Sequence, residues 1–277
     1  MKTRTISTKQ LKLALKYLVL IVVCAFFLLP FLLSLNTAFK PADEVSNVTA
    51  LPSRLYLGNF AAGFQAIARS MLNSFLIVTP GSLLGILLGA FAAYPLAQLR
   101  FKGDTVVYFI MLAGMYIPFS TILIPLFLII RNIGLYDTYF GLWLVYTAIA
   151  TPYMTLILRN FFATIPEELR EAATLDGCGL IKYFWRILLP VSQTALAACF
   201  ILNFRSFWNE FILALTLTRS HEFRPVTVAL QYFVNQSSDR VEWGPLMGAV
   251  VFAIAPTIVV FLLFKKQFVR GFVGMYK

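Results

Sequence analysis

Charge is scarce in this chain of 277 residues: 13% are Asp, Glu, Lys or Arg, against a hydrophobic share of 60%. A soluble domain is usually nearer a quarter charged, so a water-soluble globular fold is excluded. Histidine occurs once, as His221, in a polar stretch with no neighbouring ligand set. Cysteine occurs three times, as Cys24, Cys178 and Cys199, at spacings that fit neither a metal site nor a redox pair. No HExxH, metal pair or Ser/His/Asp set stands out, so no catalytic residue and no metal site is assigned. The pattern G-x4-G-K-[ST] is missing as well, so this chain is not expected to hold nucleotide phosphates.

Acidic residues number 12 against 23 basic ones, for a net charge of +11. In a soluble protein that excess would point to nucleic acid. Here Lys and Arg mark the ends of membrane spans, and nucleic acid is not expected as a partner.

What the chain has in abundance is long apolar runs, and its mean hydropathy is +0.80. Several runs reach the roughly 20 residues that cross about 30 Å of hydrocarbon. Continuous runs of that length favour helices, because lipid offers backbone groups no partners. A β-barrel would show short alternating segments instead. The fold class expected is an all-α membrane protein, a polytopic bundle of about six transmembrane helices. The spans are read at 17–35, 71–97, 105–130, 138–158, 190–217 and 245–264. The first is too long for a signal peptide and lacks a nearby cleavage pattern, so it is read as an uncleaved anchor. This divides the chain into an N-terminal arm at 1–16, a six-span domain at 17–264 and a tail at 265–277.

Six spans put both termini on one side. That side carries fifteen Lys and Arg, including Lys2, Arg4, Arg100 and Lys102, against seven on the other. Both termini are therefore expected in the cytoplasm. A charged, helix-prone insert at 166–190 lies on the same side.

Three features within the spans stand out. Gly81, Gly85 and Gly89 are four residues apart and form a flat stripe for close helix approach, within the chain or at a subunit seam. Prolines at 80, 118, 125, 152 and 256 fall in or beside spans and can kink them. The fifth span carries Asn203, Arg205, Trp208, Asn209 and Glu210. Ionisable residues at that depth face a cavity or a partner. They form a candidate translocation path, or an Arg205–Glu210 or interhelical pair that only fixes packing.

The insert reads as helix, turn, helix. Thr164 with Glu167 fits a capping box, and acidic Glu167 and Glu168 suit a helix N-terminus. Gly177 permits a sharp turn, and a second helix is expected at about 180–188. Such a knob can dock in a groove on a soluble partner or lie on lipid headgroups.

The residues Glu171-Ala172-Ala173, three positions, Gly177, nine positions, Ile187, one position, Leu189-Pro190 resemble the EAA loop of permease subunits of binding-protein-dependent ABC importers, as does Asp176 before the glycine. The stretch 34–40 with Glu44, Leu51-Pro52 and Asn59-Phe60, then Asn73-Ser74, Trp208-Asn209-x-Phe211 and 268–274, is similar to the carbohydrate-uptake, maltose-permease-G-like branch. The tail departs from that pattern at Met275-Tyr276-Lys277. The resemblance implies a permease in a bacterial or archaeal cell membrane, surrounded by lipid and partnered by a second homologous permease subunit. It also implies two ATP-binding subunits, which would hold ATP and Mg, and an extracytoplasmic solute-binding protein delivering a sugar or oligosaccharide. This chain would itself bind no cofactor. Glu171, Ala172, Ala173, Asp176, Gly177, Ile187, Leu189 and Pro190 would couple it to an ATPase. Permeases of the same class for an amino acid, polyamine or phosphate, and an ion-coupled secondary transporter, are the alternative readings.

Overall fold

The computed structural model describes residues 8–99, 101–236 and 241–274, all helical or irregular, with no strand among them. Lys2, Arg4, Arg100 and the Met275-Tyr276-Lys277 end of the tail lie outside the described residues. The helices are α1 (Thr8–Ala38), α2 (Gly58–Gln98), α3 (Asp104–Tyr116), α4 (Phe119–Asn132), α5 (Tyr139–Phe162) and α6 (Glu167–Leu175). After α7 (Leu180–Tyr183) comes a π-helical segment, Phe184–Leu188, and then α8 (Leu189–Val191). The chain continues through α9 (Gln193–Trp208), α10 (Ile212–Leu217), α11 (Val226–Gln236) and α12 (Trp243–Gly274).

Four helical stretches are long and apolar enough to cross a membrane: Lys12–Ala38, Gly58–Gln98, Tyr139–Phe162 and Trp243–Lys266. Two further candidates are bent pairs, so six spans are reached only when each pair counts as one crossing. The expected span at 105–130 is such a pair. It breaks between α3 and α4 with a bend of 100°. Pro118 explains the break. It has no N–H to donate and disfavours helical backbone in the residue before it, and Ile117 is extended at ψ 119°. The span expected at 190–217 falls on the other pair, Leu180–Val191 with Gln193–Trp208, bent by 77°, and it is interrupted after Trp208. Residues 8–16, read as an arm, continue α1, and α12 runs on to Gly274 through most of the expected tail.

The chain forms two compact units. One comprises Met1–Ala66 and Tyr232–Phe252. Its loop between α1 and α2 is knitted by side chains that satisfy backbone carbonyls. Asn36 Nδ2 donates to the carbonyls of Val48 and Ala50 (3.0 and 2.8 Å), and Asn59 Nδ2 to those of Ala38 and Lys40 (3.0 and 2.7 Å). Lys40 is fully buried and donates its ammonium to the carbonyls of Asn47 and Val48. Glu44 accepts from the N–H and hydroxyl of Ser53, and these two bonds hold its carboxyl below the usual carboxylate range. The first turns of α2 and α12 touch backbone to backbone. A Cβ on Gly63 would lie 2.5 Å from the amide nitrogen of Ala249, and one on Gly248 would lie 2.6 Å from the carbonyl oxygen of Asn59.

The second unit comprises Ile67–Gln231 and Ala253–Lys277. Its core is the seam between α2 and α5. A Cβ on Gly81 would meet Cβ of Tyr146 at 3.0 Å, one on Gly85 Cβ of Ala150 at 2.5 Å, and one on Gly89 Cβ of Met154 at 2.6 Å. The glycine stripe of α2 therefore lies on a stripe of α5 with the same four-residue spacing, and its use is packing within the chain.

Candidate functional site

The knob begins where α5 ends. Thr164 donates its hydroxyl back to the carbonyl of Phe161 (2.7 Å), closing α5, and does not cap α6. The expected capping box is absent because Pro166, not Thr164, directly precedes the first helical residue, Glu167. Glu167 instead pairs with Arg170 one turn on. The end of α6 is closed by backbone alone. Gly177 sits at φ +72°, its N–H donates to the carbonyl of Thr174 (3.0 Å), and the N–H of Cys178 donates to that of Ala173 (2.8 Å). These two bonds around a left-handed glycine are a Schellman motif.

The second helical run continues beyond the expected 180–188, through Val191, with a π-helical segment just ahead of Pro190. Proline cannot donate, and its ring crowds the carbonyl four residues back. The wider π turn relieves that crowding. Ser192 then donates both its N–H (3.1 Å) and its hydroxyl (2.7 Å) to the carbonyl of Leu188, and the chain turns 77° into α9.

One face of the knob is pinned to α2. Phe184 stacks on Phe91 (ring centroids 4.3 Å apart), and Tyr94 lies 5.9 Å from both Tyr183 and Phe184. Tyr183, Phe184, Leu188 and Ala173 are buried. The other face is bare: Glu171, Ala172, Asp176 and Gly177 are exposed. Beside them Leu175 is 89% and Ile181 74% exposed. Of the remaining residues expected to couple, Ile187 and Leu189 are half-buried and Pro190 is exposed, at the root of the knob. The sequence reading missed Leu175 and Ile181. The signal was present: two large apolar side chains flank a polar glycine turn that offers nothing to bury them.

The second candidate region is the break between α9 and α10. Asn209 closes α9 by donating both its side-chain amide (2.7 Å) and its backbone N–H (3.3 Å) to the carbonyl of Arg205. Glu210 accepts from the N–H groups of Leu213 (2.8 Å) and Ala214 (3.0 Å), donors orphaned at the start of α10. Adjacent residues thus close two half-helices, which is what a break at membrane depth requires. Glu210 Oε2 also accepts from the hydroxyl of Tyr146 (3.2 Å), and its carbonyl accepts from Thr227 Oγ1 (2.8 Å). The Arg205–Glu210 pair, the alternative to a path, does not form, and the Glu210 carboxylate accepts from these three other donors.

The five residues of the candidate path therefore part company. Trp208 is buried, donates its indole N–H to the carbonyl of Ala253 (2.9 Å) and stacks on Phe204. Asn203 is buried beside the α2–α5 seam. Arg205 and Asn209 are exposed and line cavities against α12. The loop after α10 is held by α2. Asn73 Nδ2 donates to the carbonyls of Glu222 and Arg224 (2.8 and 3.0 Å), and Ser74 Oγ accepts from the N–H of Val226 (2.8 Å), capping α11. Among the described residues no three His, Cys, Asp or Glu side chains gather as metal ligands.

Residues 85–272 match the family described as binding-protein-dependent transport system inner membrane component. The chain is 32% identical to the diacetylchitobiose uptake system permease protein of Streptomyces coelicolor, over 92% of its own length and 85% of the relative's. It is 34% identical to a probable ABC transporter permease protein of Bacillus subtilis (87% and 81% covered). It is 32% identical to the sn-glycerol-3-phosphate transport system permease protein of Yersinia pestis (75% and 73% covered). Its fold matches a chain of a bacterial ABC transporter involved in the import of the acidic polysaccharide alginate, with a TM-score of 0.83 at 22% identity, covering 96% of this chain and all of the other. With its two-helix knob and its capped half-helices, the chain belongs to the family of inner membrane components of binding-protein-dependent transport systems.

Proposed function

We propose that this chain is the permease subunit of an ATP-driven importer of a sugar or oligosaccharide, and that its knob takes up the motion of a separate ATPase. The observation that carries the reading is the knob itself: a rigid two-helix unit, bonded to α2 on one face, with bare apolar and acidic residues on the other. Relatives named for the uptake of diacetylchitobiose and sn-glycerol 3-phosphate support a carbohydrate or polyol cargo. The partners in this reading are a second homologous permease, two ATP-binding subunits and an extracytoplasmic solute-binding protein. ATP and Mg belong to the ATP-binding subunits. The excess of Lys and Arg on one side supports placing both termini and the knob in the cytoplasm of a bacterial or archaeal cell.

Mechanically, the tip around Glu171, Ala172, Leu175 and Gly177 sits in a groove of the ATPase as an amphipathic helix does. Closure of the ATPase pair displaces the knob as a rigid body. Phe184 pushes on Phe91, α2 pushes on α5 through the glycine stripe, and α5 reaches the α9–α10 break through Tyr146. Solute passes along the side of α9 that bears Arg205 and Asn209.

The test is co-purification from the cell membrane. Glu171→Lys reverses charge at the exposed tip, and the ATP-binding subunit is expected to be lost from the complex while this chain still inserts. Retention of that subunit with normal uptake would overturn the coupling role.

A further inference from the structure

Among the described residues Arg205 is a cation with no anion beside it. It lies about 18 Å along α9 from Gln193, at a rise of about 1.5 Å per residue, and so well inside a hydrocarbon layer of about 30 Å. Its side chain is exposed, and among the described residues it makes no ion pair. The nearest acid in sequence, Glu210, is occupied by two backbone N–H groups and Tyr146. A guanidinium left bare at this depth is costly.

The surroundings of Arg205 are not lipid-like throughout. Two adjoining cavities, of about 260 and 320 Å³, share Arg205 and Thr257. The first is walled by apolar side chains such as Phe204 and Ile258. The second adds Ser206 and Asn209, giving one face with a guanidinium, an amide and two hydroxyls. Thr257 Oγ1 is buried and has no hydrogen-bond partner among the described residues. A planar fork of N–H donors flanked by small polar groups suits a carboxylate or a phosphate monoester, which it can hold in two parallel bonds. Hydroxyls and amides nearby suit the oxygens of a sugar ring.

We infer that Arg205 selects an anionic solute: the cargo is a sugar carrying a carboxylate or phosphate, and Arg205 contacts that group in transit. The inference rests on the proposed path along α9. It adds the sign of the cargo, which the path alone leaves open. A polyamine would be repelled from the same place.

The experiment uses the importer in its own cell membrane. Cells lacking this chain are compared with complemented cells for uptake of labelled galacturonate, digalacturonate and glucose 6-phosphate, and of neutral maltose, cellobiose and raffinose. The uptake that depends on this chain is expected to fall among the anionic probes. Arg205→Gln should reduce it at least tenfold, and Arg205→Lys should retain most of it. Dependence confined to neutral sugars, or undiminished anionic uptake in Arg205→Gln, would overturn the inference. Loss of the sister permease from the complex in Arg205→Gln would also overturn it, by making the missing anion a carboxylate of that subunit. The path itself is read separately. In a chain without Cys24, Cys178 and Cys199, Asn209→Cys should react with a water-soluble thiol reagent. Without labelling the path reading fails, whereas labelling together with neutral-only uptake means that the charge assignment alone fails.

Discussion

The hydroxyl of Tyr146 donates to Glu210 Oε2 across 3.2 Å, joining the middle of α5 to the break between α9 and α10. The same side chain stacks on Phe207 with ring centroids 4.3 Å apart, and its Cβ fills the space that Gly81 leaves open. One tyrosine thus touches the glycine seam, α9 and the cap of α10. Tyr146→Phe keeps the ring contacts and removes one donor to a charged acceptor, worth about 1.5–3 kcal/mol. The purified protein is expected to melt at a lower temperature in detergent, while Gly81 and Phe207 contacts persist. An unchanged melting temperature would show that the bond contributes nothing.

The seam makes a second expectation, with a built-in rescue. Gly85→Ala places a methyl 2.5 Å from Cβ of Ala150, between two backbones that cannot move apart singly. Overpacking of this kind costs about 1–3 kcal/mol. Membrane levels of folded Gly85→Ala should fall, and Ala150→Gly in the same chain should restore them. If the double variant is no better than the single one, the contact is not the cause.

Much of this was legible beforehand. The glycine spacing announced the seam, and Gly177 announced the turn, because each needs a residue without a side chain. The fold class followed from run lengths. The breaks were harder to read. Pro118 was noted as a kink but ends a helix outright, since Ile117 before it is extended. Asn209 and Glu210 read as a polar path because sequence shows polarity, not what polarity is used for. Here most of it satisfies the ends of two half-helices. Helix α11 went unread between the spans at 190–217 and 245–264, because its cap, Ser74, lies far away in sequence. The start of α12 was read closely, at 245 against Trp243.

At the knob, Gly177 has open space around it, so the objection to a side chain there is conformational rather than steric. A residue other than glycine in the left-handed region costs about 1–2 kcal/mol. Gly177→Ala is expected to insert normally and to lose much of the ATP-binding subunit on purification, with Gly177→Asn intermediate. Equal recovery in all three would mean that the turn angle is not what the partner reads.

The loop between α1 and α2 should respond to acid. Glu44 is held below the usual carboxylate range chiefly by the hydroxyl and N–H of Ser53, so ionised Glu44 favours the ordered loop. That contribution is complete above the ordinary carboxylate range and disappears as pH falls through the depressed folded value. Protease cleavage within 41–57 should therefore accelerate below the carboxylate range. Ser53→Ala should move the onset to higher pH, and identical profiles would remove Ser53 as the cause.

The meeting of α2 and α5 has a further consequence. Over Gly81, Gly85 and Gly89 one helix presents only its main chain to the other. Side chains at a joint have several staggered positions and can yield by switching among them. A joint that lacks them on one side has no such slack. A shove delivered to one end of α2 must then emerge as travel of α5, or the joint must come apart.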